Sequence, residues 1–314
     1  MIRLKLYYHA KPFLPWGLRM SVRRFFANRK RARCIETWPI DAKAGIAPPG
    51  WTGWPEGKRF AFLLSHDVEL KIGYDKLDKL LDIEESLGFR SVINFIPEGQ
   101  YRVSDERIRD LKSRGFEVGV HGLRHDGKLY NNLATFEHRA KQINRYMKEW
   151  GSCGFRSPLM HRNLEWLHKL DGLYDSSTFD TDPFEPQPEG LGTVFPQWIP
   201  NPNASESQRE GYVELPYTLP QDSTLFLLLR EKNIDIWTDK TEWIAQRGGM
   251  VFLNTHPDYV DFDGSGSNSL YSADHYRNFL QRVKEDYADQ YWHTTPCEVA
   301  SRFDEQRKSS LTDA

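Results

Sequence analysis

Short apolar runs alternate with amphipathic stretches of helical period through most of this chain. Phe60 to Leu64, Ser91 to Ile96, Phe116 to Val120, Cys153 to Phe155 and Met250 to Asn254 read as strands, each brief and rich in branched or aromatic residues. Between them, Asp75 to Leu87 carries Leu77, Leu80, Leu81 and Leu87 on one stripe and stops at Gly88. Ser104 can cap a helix running to Arg114, and Ala134 to Trp150 places Phe136, Ala140, Ile143, Met147 and Trp150 at three- or four-residue steps. Further helices are predicted over Asn163–Leu170, Thr238–Arg247 and Ser272–Asp286. Strand followed by helix, repeated, predicts an α/β protein with a parallel sheet, open or closed. Residues 180 to 220 break the alternation with eight prolines, which predicts a functional flap or an inserted hairpin.

Four polar clusters sit at the ends of these runs: Ser65-His66-Asp67-Val68-Glu69, His121-Gly122-Leu123-Arg124-His125, Arg156-Ser157-Pro158 and Asn254-Thr255-His256. Parallel α/β folds gather the carboxyl ends of their strands into one site, however distant the residues are in sequence. His121 and His125 are four apart, a separation that lets two imidazoles share a metal; alone, such a pair is more often an ordinary surface feature. Asp67 and Glu69 point the same way if the backbone is extended, so one could bind a metal while the other acts as base; helix capping or a salt bridge with Lys71 or Arg90 is the bland alternative. Arg156 could hold a carboxylate ionised and oriented, although a lone arginine is more often a surface ion pair. His256, followed by Pro257, is by itself more often structural than catalytic. The bland readings lose force together, because all four clusters occupy the same strand-end position.

Composition narrows the setting. A 39% hydrophobic and 27% charged chain of 314 residues is a water-soluble type able to bury one large core. Residues 1–34 hold ten Lys or Arg and no Asp or Glu, interleaved with Tyr7, Tyr8, Phe13, Trp16, Phe25 and Phe26, which leaves 32 basic against 44 acidic residues in the rest. Such a basic aromatic arm fits an anionic membrane surface, a solvated extension, or a helix docked on the acidic body; without a recognition fold, nucleic acid is not expected as a partner. Residues 35–58, rich in Pro, Gly and Trp, read as a linker strapped across a domain at 59–305, with a polar tail at 306–314. Cys34, Cys153 and Cys297 show no CxxC pattern and predict neither a disulfide framework nor a zinc ribbon. No signal peptide or membrane span is evident, so a reducing, cytoplasmic location is expected.

The order of these motifs resembles that of the polysaccharide deacetylase superfamily, also called the NodB-homology family or carbohydrate esterase family four. The resemblance covers roughly residues 59 to 300: the acidic pair, the HxxxH, an RxP-type motif, the segment Tyr174 to Asp180, and a histidine after a late apolar strand. It implies a distorted (β/α) barrel of about seven repeats and a divalent metal, usually zinc, serving hydrolysis of N-acetyl groups on sugars. By position, Asp67 is similar to the general base, Glu69 with His121 and His125 to the metal ligands, Arg156 to the residue that tunes the base, and His256 to the general acid, with Asp180 able to orient His256. The first motif departs from the common adjacent Asp-Asp: Val68 separates the acids and His66 precedes them, so Asp67 and Glu69 could exchange roles. Thr181 also stands where a tryptophan is common. The substrate implied is an N-acetylated sugar or glycan intermediate of cell-surface polysaccharide assembly, met in the cytoplasm or at the inner membrane face. A hydrolase of a non-sugar amide or cyclic ureide, and an inactive glycan-binding barrel, are the rival readings.

Overall fold

The computed structural model describes residues 16–204 and 210–312. The first fifteen residues of the basic arm, with Arg3, Lys5, Lys11, Tyr7, Tyr8 and Phe13, lie outside the described residues, as do the last two of the tail.

A curled parallel sheet forms the body. Its strands are β1 (Phe60–Val68), β2 (Val92–Phe95), β3 (Glu117–His121), β4 (Gly154–Arg156), β5 (Tyr174–Asp175), β7 (Gly211–Glu214) and β8 (Met250–Thr255), with β6 (Gln197–Pro200) antiparallel to β7. Strand β1 pairs β8 along residues 61–66, β2 over 65–68, and the late strand β9 (Tyr291–His293) over 60–62. The segment after β7 bridges back, with Thr218 N–H donating to Phe252 O at 2.9 Å. The fold is a distorted (β/α) barrel, as the motif order implied.

Between the strands run α2 (Lys71–Leu87), α3 (Asp105–Ser113), α4 (Leu133–Trp150), α5 (Leu164–Leu167), α6 (Asp235–Arg247) and α7 (Ala273–Asp286), each over or beside a sequence-predicted helix. Ser104 caps α3 by accepting from Arg107 N–H at 3.1 Å. On α4 the stripe Phe136, Ala140, Ile143, Met147 and Trp150 is buried throughout, each large side chain contributing about 1.5–3 kcal/mol.

Strand parity positions the site. Along β1, Phe60, Phe62 and Leu64 pack outward among Trp237, Tyr276, Phe279 and Leu280 of the covering helices. Ala61 and Leu63 face inward with Tyr174, Val213, Leu215 and Phe252. A period of two then puts Ser65 and Asp67 inside the barrel and His66 outside, where its Nε2 lies 2.7 Å from Glu84 on α2. The sheet extends further than the apolar run: Ser65 to Val68 are the carboxyl end of β1 itself.

Several expectations are corrected. Cys153 and Cys297 are paired in a disulfide, which removes the support their spacing lent to a reducing location. The sulfurs meet because Cys153 precedes β4 while Cys297 opens α8 (Pro296–Thr312), two elements the fold brings together. That helix also takes in residues 306–312 of the expected polar tail. The proline-rich stretch holds the β6–β7 hairpin, and residues 223–229, unassigned from sequence, form a π-helix. The basic arm contains α1 (Trp16–Arg33), docked on that π-helix. Among the described residues no helix is long and apolar enough to cross a membrane.

Candidate active site

Sheet register assembles the site. In the parallel ladders Asp67 is the partner of Asn94, Ser65 of Asn254, His66 of Thr255, and His121 of Arg156. Residues far apart in sequence therefore meet side chain to side chain at one end of the barrel. At that end lies a cavity of about 450 Å³ lined in part by Asp67, Glu69, His121, His125 and His256.

Asp67 is buried and held on both oxygens. Asn94 Nδ2 donates to Oδ1 and Asn254 Nδ2 to Oδ2, each at 2.9 Å, and Arg156 Nε stands 3.4 Å from Oδ1. Burial alone would raise this carboxyl, but the neighbouring His121, Arg156 and His256 and the Asn94 hydrogen bond hold it below the usual carboxylate value. Arg156 is itself fully buried and fixed by Ser65 Oγ, which accepts from its terminal nitrogen at 3.2 Å.

Glu69, His121 and His125 form a second group, with ligand atoms within 4.8 Å of one another; Asp67 is not among them. Glu69 Oε1 lies 3.1 Å from His125 Nε2, and Tyr259 donates to Oε2 at 2.9 Å. Asp258 fixes the backbone here by accepting from Glu69 N–H at 3.0 Å and Leu70 N–H at 2.9 Å. His121 Nδ1 lies 3.2 Å from the Arg156 carbonyl, so that nitrogen carries the proton and Nε2 presents a lone pair to the cavity. Burial pushes the His121 imidazole down to about 4, which keeps it neutral. His121 Nε2 is buried without a hydrogen-bond partner, and His125 Nε2 is buried with the Glu69 carboxylate as its one close polar neighbour. Two buried imidazole nitrogens converging on one carboxylate fit a divalent first-row cation with an open coordination position.

The HxxxH loop owes its course to Gly122. Its φ is +65°, and an added Cβ would lie 2.4 Å from Pro158 Cγ, so the Arg156-Ser157-Pro158 turn and the histidine loop pack directly. Beyond it, Asp126 takes a two-pronged ion pair from Arg139 of α4, both contacts at 2.8 Å, anchoring the loop's far end.

His256 faces the two acids from the opposite wall, its Nε2 4.0 Å from Asp67 Oδ2 and from Glu69 Oε1. Asp222 orients it, accepting from His256 Nδ1 at 2.7 Å and from its backbone N–H at 2.8 Å. Burial disfavours the imidazolium, but the Asp222 carboxylate outweighs it and holds His256 up at about 10. Asp180, expected to orient this histidine, does not touch it. Lys240 of α6 takes Asp180 into a buried ion pair at 2.8 Å, because the Asp180 segment turns toward α6 rather than into the cavity. Burial still lifts Asp180 to about 6.

Asp222, Asn94, Tyr259 and Asp258 were missed from sequence. Asn94 left a signal as the single polar residue in the apolar strand Val92–Phe95. Asp222 left none, lying past the proline-rich stretch in no recognisable element. Glu185, at the cavity wall, accepts from Gln221 Nε2 at 2.8 Å and Tyr217 Oη at 3.0 Å, and burial lifts its carboxyl to about 8.

Fold and site together define an architecture: a (β/α) barrel with a polar pocket at its strand ends, where Glu69, His121 and His125 could hold a metal ion. Solved structures with this fold include a candidate polysaccharide deacetylase from Mycobacterium smegmatis (18% identity, TM-score 0.63, covering 83% of this chain and 96% of that one). Puue allantoinase shares it at 17% identity and TM-score 0.63, covering 85% of this chain and 97% of its own. A probable polysaccharide deacetylase from Pseudomonas aeruginosa PAO1 shares it at 17% identity and TM-score 0.62, over 85% and 98%. No family model matches the sequence, and no curated protein matches it either.

Proposed function

We propose that this chain is a divalent-metal-dependent hydrolase that removes N-acetyl groups from a sugar or glycan intermediate of cell-surface polysaccharide assembly. The observation that carries the reading is the convergence of the buried Nε2 atoms of His121 and His125 on Glu69, facing Asp67 and His256 across one cavity. Glu69, His121 and His125 would hold the cation, most naturally zinc, which supplies positive charge to polarise the amide and its attacking water.

The remaining chemistry belongs to the chain. Asp67, kept ionised by its charged and amide partners, accepts a proton as general base. Arg156 and the two asparagines fix its oxygens, so base strength and direction are set before substrate arrives. His256, held protonated by Asp222, carries its Nε2 proton toward the cavity and delivers it to the departing amine, which is poor as an anion. Asp180 has no part in this sequence.

Acetate release from a panel of N-acetylated sugars, nucleotide sugars and lipid-linked sugars tests the reading, with wild type set against Asp67→Asn. Release that falls by about 10²–10⁴-fold in the variant is expected, and unchanged release would remove Asp67 as base. The allantoinase with the same fold supports a second reading, hydrolysis of a cyclic ureide or other small amide. Activity on ureides with none on N-acetylhexosamines would select it.

A further inference from the structure

Helix α1 is docked inside out. Its face toward the body is Met20, Arg24, Ala27 and Arg31 at alternating four- and three-residue steps. Arg24 donates from two nitrogens to Leu227 O, at 3.2 and 3.0 Å, and Arg31 pairs with Glu231. Met20 and Ala27 are 9% and 7% exposed. The opposite face turns large apolar groups outward: Val22, Phe25 and Phe26 are 38%, 56% and 63% exposed. A surface helix ordinarily turns its apolar stripe to the core and its cations to water.

Cations frame this aromatic ridge. Phe25 and Phe26 meet edge to face at 5.6 Å, and the Arg29 guanidinium lies 5.6 Å over Phe25. Arg23, Arg29, Lys30 and Arg33 are exposed, and none forms an ion pair with a carboxylate among the described residues. The helix contains no acidic residue, whereas acids outnumber bases 44 to 32 beyond residue 34.

We propose that α1 seats this chain on an anionic lipid surface, with Phe25 and Phe26 at headgroup depth and the surrounding cations among the phosphates. The composition, aromatic residues ringed by Arg and Lys, is that of an interfacial helix. The charge asymmetry fixes its direction, because an anionic surface repels the body and attracts this face alone. A second copy is the poorer occupant, since a two-fold contact would set the same unpaired cations against each other. Met20 and Arg23 also line the cavity that holds Asp67 and His256, so docking brings the pocket mouth to the surface from which a lipid-borne glycan would be reached.

The surface is independent of the reaction assigned above, and flotation of the full chain on density gradients reads it alone. Wild type is expected to float with phosphatidylcholine/phosphatidylglycerol vesicles, not with phosphatidylcholine alone, and to release as salt rises. Phe25→Ser/Phe26→Ser should lower vesicle partitioning by about tenfold or more, while circular dichroism and turnover of a water-soluble substrate stay as in wild type. Equal flotation of wild type and the double variant, or none with the anionic vesicles, would overturn the proposal. So would light scattering that shows a wild-type dimer dissolved by the double variant. Loss of turnover with flotation intact would touch only the reaction.

Discussion

Individual side chains here derive their chemistry from neighbours rather than from their own type. His121 and His256 are both buried histidines, yet one is pushed down to about 4 and the other up to about 10. A carboxylate against Nδ1 makes the difference: His256 has Asp222 there, while His121 has a neutral carbonyl. Replacing Asp222 with Asn removes the charge that raises the His256 pKa, so the acid form is lost at lower pH. The alkaline limb of the kcat profile should move down toward the ordinary imidazole value of about 6.5, with the acid limb left to Asp67. A limb that stays in place would show that another group donates the proton. His121→Ala and His125→Ala should each abolish bound metal, by elemental analysis of purified protein, with the fold retained by circular dichroism. Asp67→Asn should keep the metal. The types and spacing of these residues were legible in the sequence. The exchange of Asp180 for Asp222 was not, because which acid reaches His256 depends on where a loop turns.

Elements carry the residues to their places, and the close approach of α2 to the turn after β8 shows how little room that leaves. An added Cβ on Gly73 would lie 2.2 Å from Asp258 Oδ2, the carboxylate that fixes the Glu69 and Leu70 N–H groups. In an exposed helix, Gly→Ala would be stabilising by about 1 kcal/mol. At Gly73 the clash wins, and Gly73→Ala should destabilise by about 1–3 kcal/mol in denaturant titrations and weaken metal binding by displacing Glu69. Equal or greater stability in the variant would show that Asp258 moves freely. Strands and helices of the barrel were readable because their periods differ, two against three to four, and the stripes on α2 and α4 are unbroken. The two-residue β5 and the π-helix were not, and the β6–β7 hairpin was legible only as one alternative for the proline-rich stretch, since none is long enough to show a period.

At the scale of the whole molecule, the first and last described helices are fastened to the barrel by different means. Helix α1 holds through Arg24, Ala27 and Arg31, and α8 through the Cys153–Cys297 disulfide, a sequence separation of 144 residues. Reduction, or Cys297→Ser, should lower stability by about 2–4 kcal/mol, read as a shifted denaturation midpoint with and without reductant. A midpoint indifferent to both would show that the pair contributes nothing. The sequence by itself determined the alternation of strand and helix and the strand-end positions of Asp67, Glu69, His121, Arg156 and His256, because local period is written in consecutive residues; closure of the sheet into a barrel was only what the family resemblance implied. Only the tertiary structure decided that Asp222 orients His256, that Asp180 belongs to Lys240, that Cys153 meets Cys297 and that α1 faces its phenylalanines outward. Each of these depends on which distant segment arrives beside which, and register and packing set that where no local pattern can.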